Sequence, residues 1–214
     1  KLLDELPDGH MGFPGKLTVE TTYKVNKTTI DIFIEASTDK TTLCNFTNHS
    51  YFNLDGAENI ANHSLIVNCD NVLPVDKNGI PISEPVSTKE LALDFKNSQK
   101  LNNNGKPIEI DHNFCISNTR QNLRKNAIVS AKNISLELLS TEPGLQVYTG
   151  KGLDSGNDEG WGKFPYKEYA GIALEPQIWP DSPNQNGFPN PYLSPHEKYK
   201  HHTRIKFSNS NDKK

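Results

Sequence analysis

This sequence is short of cysteine, arginine and long apolar runs, and each shortage removes a class of protein. Its three Cys, at positions 44, 69 and 115, share no close spacing. An odd, scattered set supports neither a disulfide frame nor a zinc site, and it reads as buried free thiols in a reducing, cytoplasmic setting. Only three Arg occur, Arg120, Arg124 and Arg204, and the first two lie in a polar, Asn-rich stretch that reads as a solvated loop. The 23 basic and 26 acidic side chains leave a net charge of −3, with an isoelectric point near 6.2. No basic face is on offer to nucleic acid. No apolar run approaches the ~18 residues of a membrane-spanning helix. The opening Lys1-Leu2-Leu3-Asp4-Glu5-Leu6 is too short and too charged for a signal peptide.

Helical periodicity is also nearly absent; residues 88–95, behind a capping Ser87, are the one candidate for a short helix. What remains is β signal. Residues 16–26 and 28–35 alternate apolar and polar positions around a short polar turn, as an antiparallel hairpin does. Strand-like runs follow at 41–54, 64–69, 133–140, 144–149, 169–174 and 201–207, with polar loops at 97–107 and 153–164. The composition is polar, with a mean hydropathy of −0.68, yet nine Phe, seven Tyr and two Trp are spread across these runs, so a core can form. We expect an all-β fold, a large antiparallel β-sandwich over residues 1–207, and a frayed tail at 208–214.

Two stretches carry the chemistry. In Leu174-Glu175-Pro176-Gln177-Ile178-Trp179-Pro180-Asp181, one carboxylate follows a short apolar run and precedes turn-formers. Glu175 is then expected where a buried strand meets a loop. It is either an ordinary exposed strand-end residue or a partly desolvated general base. In Asn45-Phe46-Thr47-Asn48-His49-Ser50-Tyr51-Phe52-Asn53-Leu54, three Asn, two hydroxyls and a His crowd an aromatic run, and such polar density needs hydrogen-bond partners. A polar ligand is one source of them. His49 is either a satisfied structural residue or the acid that complements Glu175.

These strings resemble the aldose 1-epimerases, or galactose mutarotases. So do Asp8-Gly9-His10-Met11-Gly12-Phe13-Pro14-Gly15, Leu73-Pro74-Val75-Asp76, Asp111-His112-Asn113-Phe114, Thr141-Glu142-Pro143-Gly144-Leu145-Gln146-Val147-Tyr148 and Tyr199-Lys200-His201-His202-Thr203, in that order along the chain. The resemblance implies a β-sandwich binding a monosaccharide, galactose or glucose, on a concave sheet. It implies an acid–base ring opening that needs no metal, nucleotide or other cofactor. Position by position, Glu175 matches the family's base, His49 its acid, and Asp111 and Gln146 its sugar-binding carboxylate and amide. Apart from the resemblance, Asp111 reads as a turn residue and Gln146 as the solvent face of a strand.

The family's N-terminal strings, which supply an Arg and a second His, have no counterpart here. The chain therefore reads as N-terminally truncated, and its alternative is a non-catalytic carbohydrate-binding remnant. Some fungal relatives place an epimerase domain before the mutarotase domain. Missing strands would leave ladder edges open to oligomerisation. A substrate carrying a 6-phosphate would need cations, and the site strings hold none.

Overall fold

The computed structural model of the chain describes residues 1–160 and 164–209. Its strands, in chain order, are β1 (Leu2–Leu6), β2 (Leu17–Asn26), β3 (Thr29–Thr38), β4 (Thr42–Leu43), β5 (Tyr51–Phe52) and β6 (Ser64–Val67). Then come β7 (Asn71–Val72), β8 (Val86–Ser87), β9 (Gln99–Lys100), β10 (Asn102–Asn103), β11 (Lys106–Pro107) and β12 (Asp111–Cys115). The series ends with β13 (Arg124–Ala131), β14 (Ile134–Ser140), β15 (Gly144–Tyr148), β16 (Ile172–Gln177), β17 (Tyr192–Leu193) and β18 (Tyr199–Asn209). Among the described residues the only helical turns are two short 3₁₀ segments, His10–Gly12 and Ser182–Asn184. No described helix is long and apolar enough to cross a membrane.

Local chemistry explains the hairpins. β2 and β3 pair from Leu17↔Thr38 to Asn26↔Thr29, leaving Lys27 and Thr28 as a two-residue turn. Lys27 takes the positive φ that such a turn requires. Lys132 does the same between β13 and β14. Between β10 and β11, Asn104 and Gly105 both lie at positive φ, the pairing a tight hairpin favours.

Alternation then sorts the side chains. Eight strands form one antiparallel sheet in the order β1-β2-β3-β18-β14-β13-β6-β9, and six form another in the order β5-β16-β15-β12-β7-β8. Leu17, Val19, Ile32, Ile34, Leu65, Val129, Leu136 and Ile205 of the first meet Phe114, Leu145, Val147, Ile172 and Leu174 of the second in one buried cluster. This is a β-sandwich, its two inner faces interdigitating as the hydrophobic effect demands. At one edge, β1 pairs only with β2 and exposes Leu2 and Leu3.

Several expectations are corrected. Residues 88–95 make turns, not a helix; Ser87 Oγ does accept the Lys89 N–H as a cap would, but Ala92 at φ 56° bends the chain away. The 97–107 loop holds three short strands, β9, β10 and β11. The run 41–54 is no continuous strand: only Thr42–Leu43 and Tyr51–Phe52 pair, and residues 44–50 arch between them. The sequence pattern assigns no strand to β1, β7, β8, β12, β13 or β17. Ser208 and Asn209, placed in the frayed tail, pair with Ser135 and Ile134. Residues 210–214 lie outside the described residues, as do 161–163 of the 153–164 loop.

Arg120 and Arg124 are tied to the fold rather than free in solvent, although Arg120 keeps about a third of its side chain exposed. Arg120 Nε donates to both carboxylate oxygens of the fully buried Glu142, at 2.8 and 3.0 Å, and its guanidinium lies 4.3 Å over the Tyr199 ring. Arg124 donates to Ser117 Oγ and the Glu142 carbonyl. Burying that carboxylate requires a cation, and the polar loop supplies one whose Nε–H is shared between both oxygens.

Candidate active site

The outer face of the six-stranded sheet is polar, and strand register explains why. Asp111 pairs with Tyr148, Tyr148 with Ala173, and Ala173 with Tyr51. One rung along, Asn113 pairs with Gln146 and Gln146 with Glu175. Residues in register, two apart on each strand, share a face. All the polar side chains in these rows therefore stand opposite the core-facing Phe114, Leu145, Val147, Ile172 and Leu174.

Glu175 lies inside β16, not at its end as the turn-formers after it suggested, because the strand runs on through Pro176 and Gln177. It is only 8% exposed. Burial pushes its carboxyl above the ordinary carboxylate range; the neighbouring His49 pulls it back and the Asp111 charge adds to the rise. His49 stands on the 44–50 arch with its side chain half exposed, and its Nε2 lies 3.4 Å from Glu175 Oε1. The His49 ring tilts over Tyr51, centroids 5.1 Å apart, and Tyr51 in turn meets Tyr148 edge-on.

Gln146 Nε2 donates to Asp111 Oδ1 at 2.7 Å. Asp111 is neither a turn residue nor isolated; it opens β12 and is exposed on the polar face. Gln146 Oε1 and Asn113 Oδ1 are buried on this face without a protein partner among the described residues. Such orphaned acceptors suit a ligand's hydroxyls. Gly144 keeps the floor open: a Cβ there would overlap Asn113 Oδ1 and lie 2.9 Å from Trp179 Cδ1.

The structure thus brings all four expected residues to one face: His49 against Glu175, and Gln146 between Asp111 and Glu175. The sequence reading missed Asn113, Tyr51 and Tyr148. Their signal was the period-two spacing of Asp111 with Asn113 and of Gln146 with Tyr148. Among the described residues no cluster of three or more His, Cys, Asp or Glu could hold a metal ion.

Residues 2–206 match the family model described as Aldose 1-epimerase. The chain belongs to the aldose 1-epimerase family. Galactose mutarotase from Mus musculus is 38% identical over 208 residues, covering 94% of this chain and 60% of its own length. Aldose 1-epimerase from Escherichia coli K12 is 34% identical over 213 residues, with shares of 94% and 61%. The crystal structure of an aldose epimerase homologue from C. elegans superposes with a TM-score of 0.87 at 26% identity, covering 97% of this chain and 64% of that one. The chain spans about 60% of the length of the curated relatives it matches. The polar face, where His49 meets Glu175, is the candidate site of the sandwich.

Proposed function

We propose that residues 1–207 act as one aldose 1-epimerase domain, in which His49 and Glu175 interconvert the α and β anomers of galactose or glucose. The main support is the 3.4 Å approach of a half-exposed imidazole to a buried carboxylate on the polar face of the sheet. The anomeric hydroxyl oxygen and the ring oxygen are borne by the same carbon. An acid and a base in near contact can therefore serve one each.

In ring opening, the Glu175 carboxylate takes the proton of the anomeric hydroxyl while the His49 imidazolium gives its proton to the ring oxygen. The bond from the anomeric carbon to the ring oxygen breaks, leaving an open aldehyde. Rotation about the first carbon–carbon bond presents the other face of the carbonyl. On closure the aldehyde oxygen takes the proton back from Glu175 and the attacking hydroxyl returns one to His49. Both groups end as they began, and no co-reactant is consumed. Burial makes Glu175 a stronger base than an exposed carboxylate, because its proton is held more tightly. Asp111 and the free Gln146 carbonyl accept the remaining ring hydroxyls, which fixes the anomeric carbon over the pair.

The three buried free thiols suit a reducing cytoplasm. Association of copies would run through the outer edge of β1, where Leu2 and Leu3 are exposed. The test of the activity is polarimetric. Freshly dissolved α-D-galactose should lose optical rotation faster with this chain than in buffer, and Glu175→Gln should abolish the difference. A rate equal to buffer from folded protein overturns the reading; sugar binding without turnover would leave a binding remnant instead.

A further inference from the structure

Residues 44–50 have no ladder partner, yet they carry His49. At their C-terminal foot, Tyr51 and Phe52 pair with Ala173 and Ile172 of β16. Counting back in that antiparallel register, His49 falls opposite Glu175 and Phe46 opposite Ile178. The ladder is not continued by Phe46, whose backbone is taken elsewhere. Its N–H donates to Tyr199 Oη at 3.2 Å, and its carbonyl accepts from Tyr199 Oη and from His201 Nδ1 at 3.3 and 3.0 Å.

Asn45 makes the missing rung with its side chain. Its Oδ1 accepts the Ile178 N–H at 2.9 Å and its Nδ2 donates to the Ile178 carbonyl at 3.2 Å. These are the two bonds a paired strand residue would give. The arch therefore has one foot on β16 at Ala173, two residues before Glu175, and the other just past the end of that strand at Ile178, three residues after Glu175. The amide faces a cavity of about 320 Å³ whose other walls include Cys44, Phe46, Trp179 and Pro191. No described side chain other than Asn45 bonds the Ile178 backbone there.

We propose that Asn45 is a positioning residue for the acid–base pair, its side-chain amide replacing a backbone rung so that His49 stays in register with Glu175. The hydrogen bonds of the Asn45 side chain go to Ile178 and not to His49 or Glu175, and Asn45 is exposed and lines the cavity, so water can take over the Ile178 groups when the amide is removed. The effect belongs in the geometry of the pair, not in the stability of the sandwich. A loosened arch displaces His49 by a fraction of its loop length, and a displacement near an ångström costs about a hundredfold in rate. The inference rests on the proposed epimerase chemistry, but its geometric content can be read without turnover.

The experiment uses the whole chain and the variants Asn45→Ala and Asn45→Asp, the second keeping the acceptor for the Ile178 N–H. With galactose, Asn45→Ala should lower kcat roughly ten- to hundredfold with KM within about twofold, and Asn45→Asp should fall between it and the parent. The thermal midpoint of Asn45→Ala should stay near that of the parent. Independently of turnover, the Glu175 carboxyl is titrated by ¹³C NMR with and without His49→Asn. In the parent, removing His49 raises the Glu175 pKa; in the Asn45→Ala background that rise should shrink.

An undiminished rise, or an unchanged kcat from folded Asn45→Ala, overturns the proposal. A parent with no turnover would sink the epimerase reading while leaving the titration to decide the role of Asn45. Failure of both variants to fold would assign the amide to the fold and overturn the proposal as well.

Discussion

Glu142 and Glu175 are both buried carboxylates, one 0% and the other 8% exposed, and the molecule treats them in opposite ways. Glu142 is closed off. Arg120 binds both of its oxygens, Thr141 Oγ1 reaches one of them at 3.3 Å, and its N–H is taken by Ser140 Oγ. Arg120 stacks on Tyr199, which holds Phe46. Glu175 instead faces an imidazole, that of the half-exposed His49, whose Nε2 lies 3.4 Å from its carboxylate. A buried acid locked by a guanidinium is architecture, because arginine keeps its proton at every working pH. A buried acid facing a histidine can exchange protons with what lies between.

The sharpest test of this contrast is to neutralise each acid. Glu175→Gln and His49→Asn should each lower kcat by about 10²–10⁴-fold, read by polarimetry. Glu175→Gln should leave the unfolding midpoint unchanged or higher, since its carboxyl is raised by burial and the amide has no charge to desolvate. Glu142→Gln should do the reverse. Arg120, left facing a neutral amide, should cost roughly 3 kcal/mol of stability in denaturant unfolding. Equal stability losses in the two variants would break the comparison.

How much of this was legible in the letters depends on which physics each residue obeys. Period-two alternation exposed the β2–β3 hairpin and β14, because one face of each is buried and the other wet. It failed for β12, where Asp111-His112-Asn113-Phe114-Cys115 has polar residues at three consecutive positions, two of which lie on the polar face. It also overran at 41–54, where the aromatic run conceals an arch held by side-chain bonds rather than a ladder. Glu175 looked like a strand end because prolines follow it, yet Pro176 pairs within β16. The Arg120–Glu142 pair was invisible, since its partners lie 22 residues apart and only the fold makes them neighbours. The resemblance supplied Asp111 and Gln146, whose individual contexts are ordinary.

The same contrast runs through the imidazoles, with a smaller effect. His63 is fully buried, and its Nε2 accepts the Leu54 N–H at 2.8 Å, which only a neutral ring can do. His201 Nδ1 donates to the Phe46 carbonyl, and Thr203 Oγ1 lies 2.7 Å from its Nε2. Burial lowers both pKa values below the ordinary 6.5. With folded values depressed, the unfolded chain binds more protons once the pH drops below about 6.5. Stability is therefore fully present above that pH and falls beneath it, by at most about 1.4 kcal/mol per pH unit for each ring. Urea midpoints measured from pH 7.5 to 5.5 should decline, and His63→Gln should flatten the decline. A flat profile in the parent would mean that these rings are charged inside the fold.

The smallest effect belongs to a third kind of carboxylate. Glu137 on β14 meets Lys125 on β13 at 2.8 Å, with side-chain exposures of 28% and 48%. On distance alone this pair matches Arg120–Glu142. Water on one side screens it, however, and ordering two long side chains offsets most of the attraction. Lys125→Ala should therefore change stability by less than about 0.5 kcal/mol, and added salt should remove the difference. A loss comparable to that of Glu142→Gln would show that separation, not burial, ranks these pairs. The contrast between the locked acid Glu142 and Glu175 would then lose its physical basis.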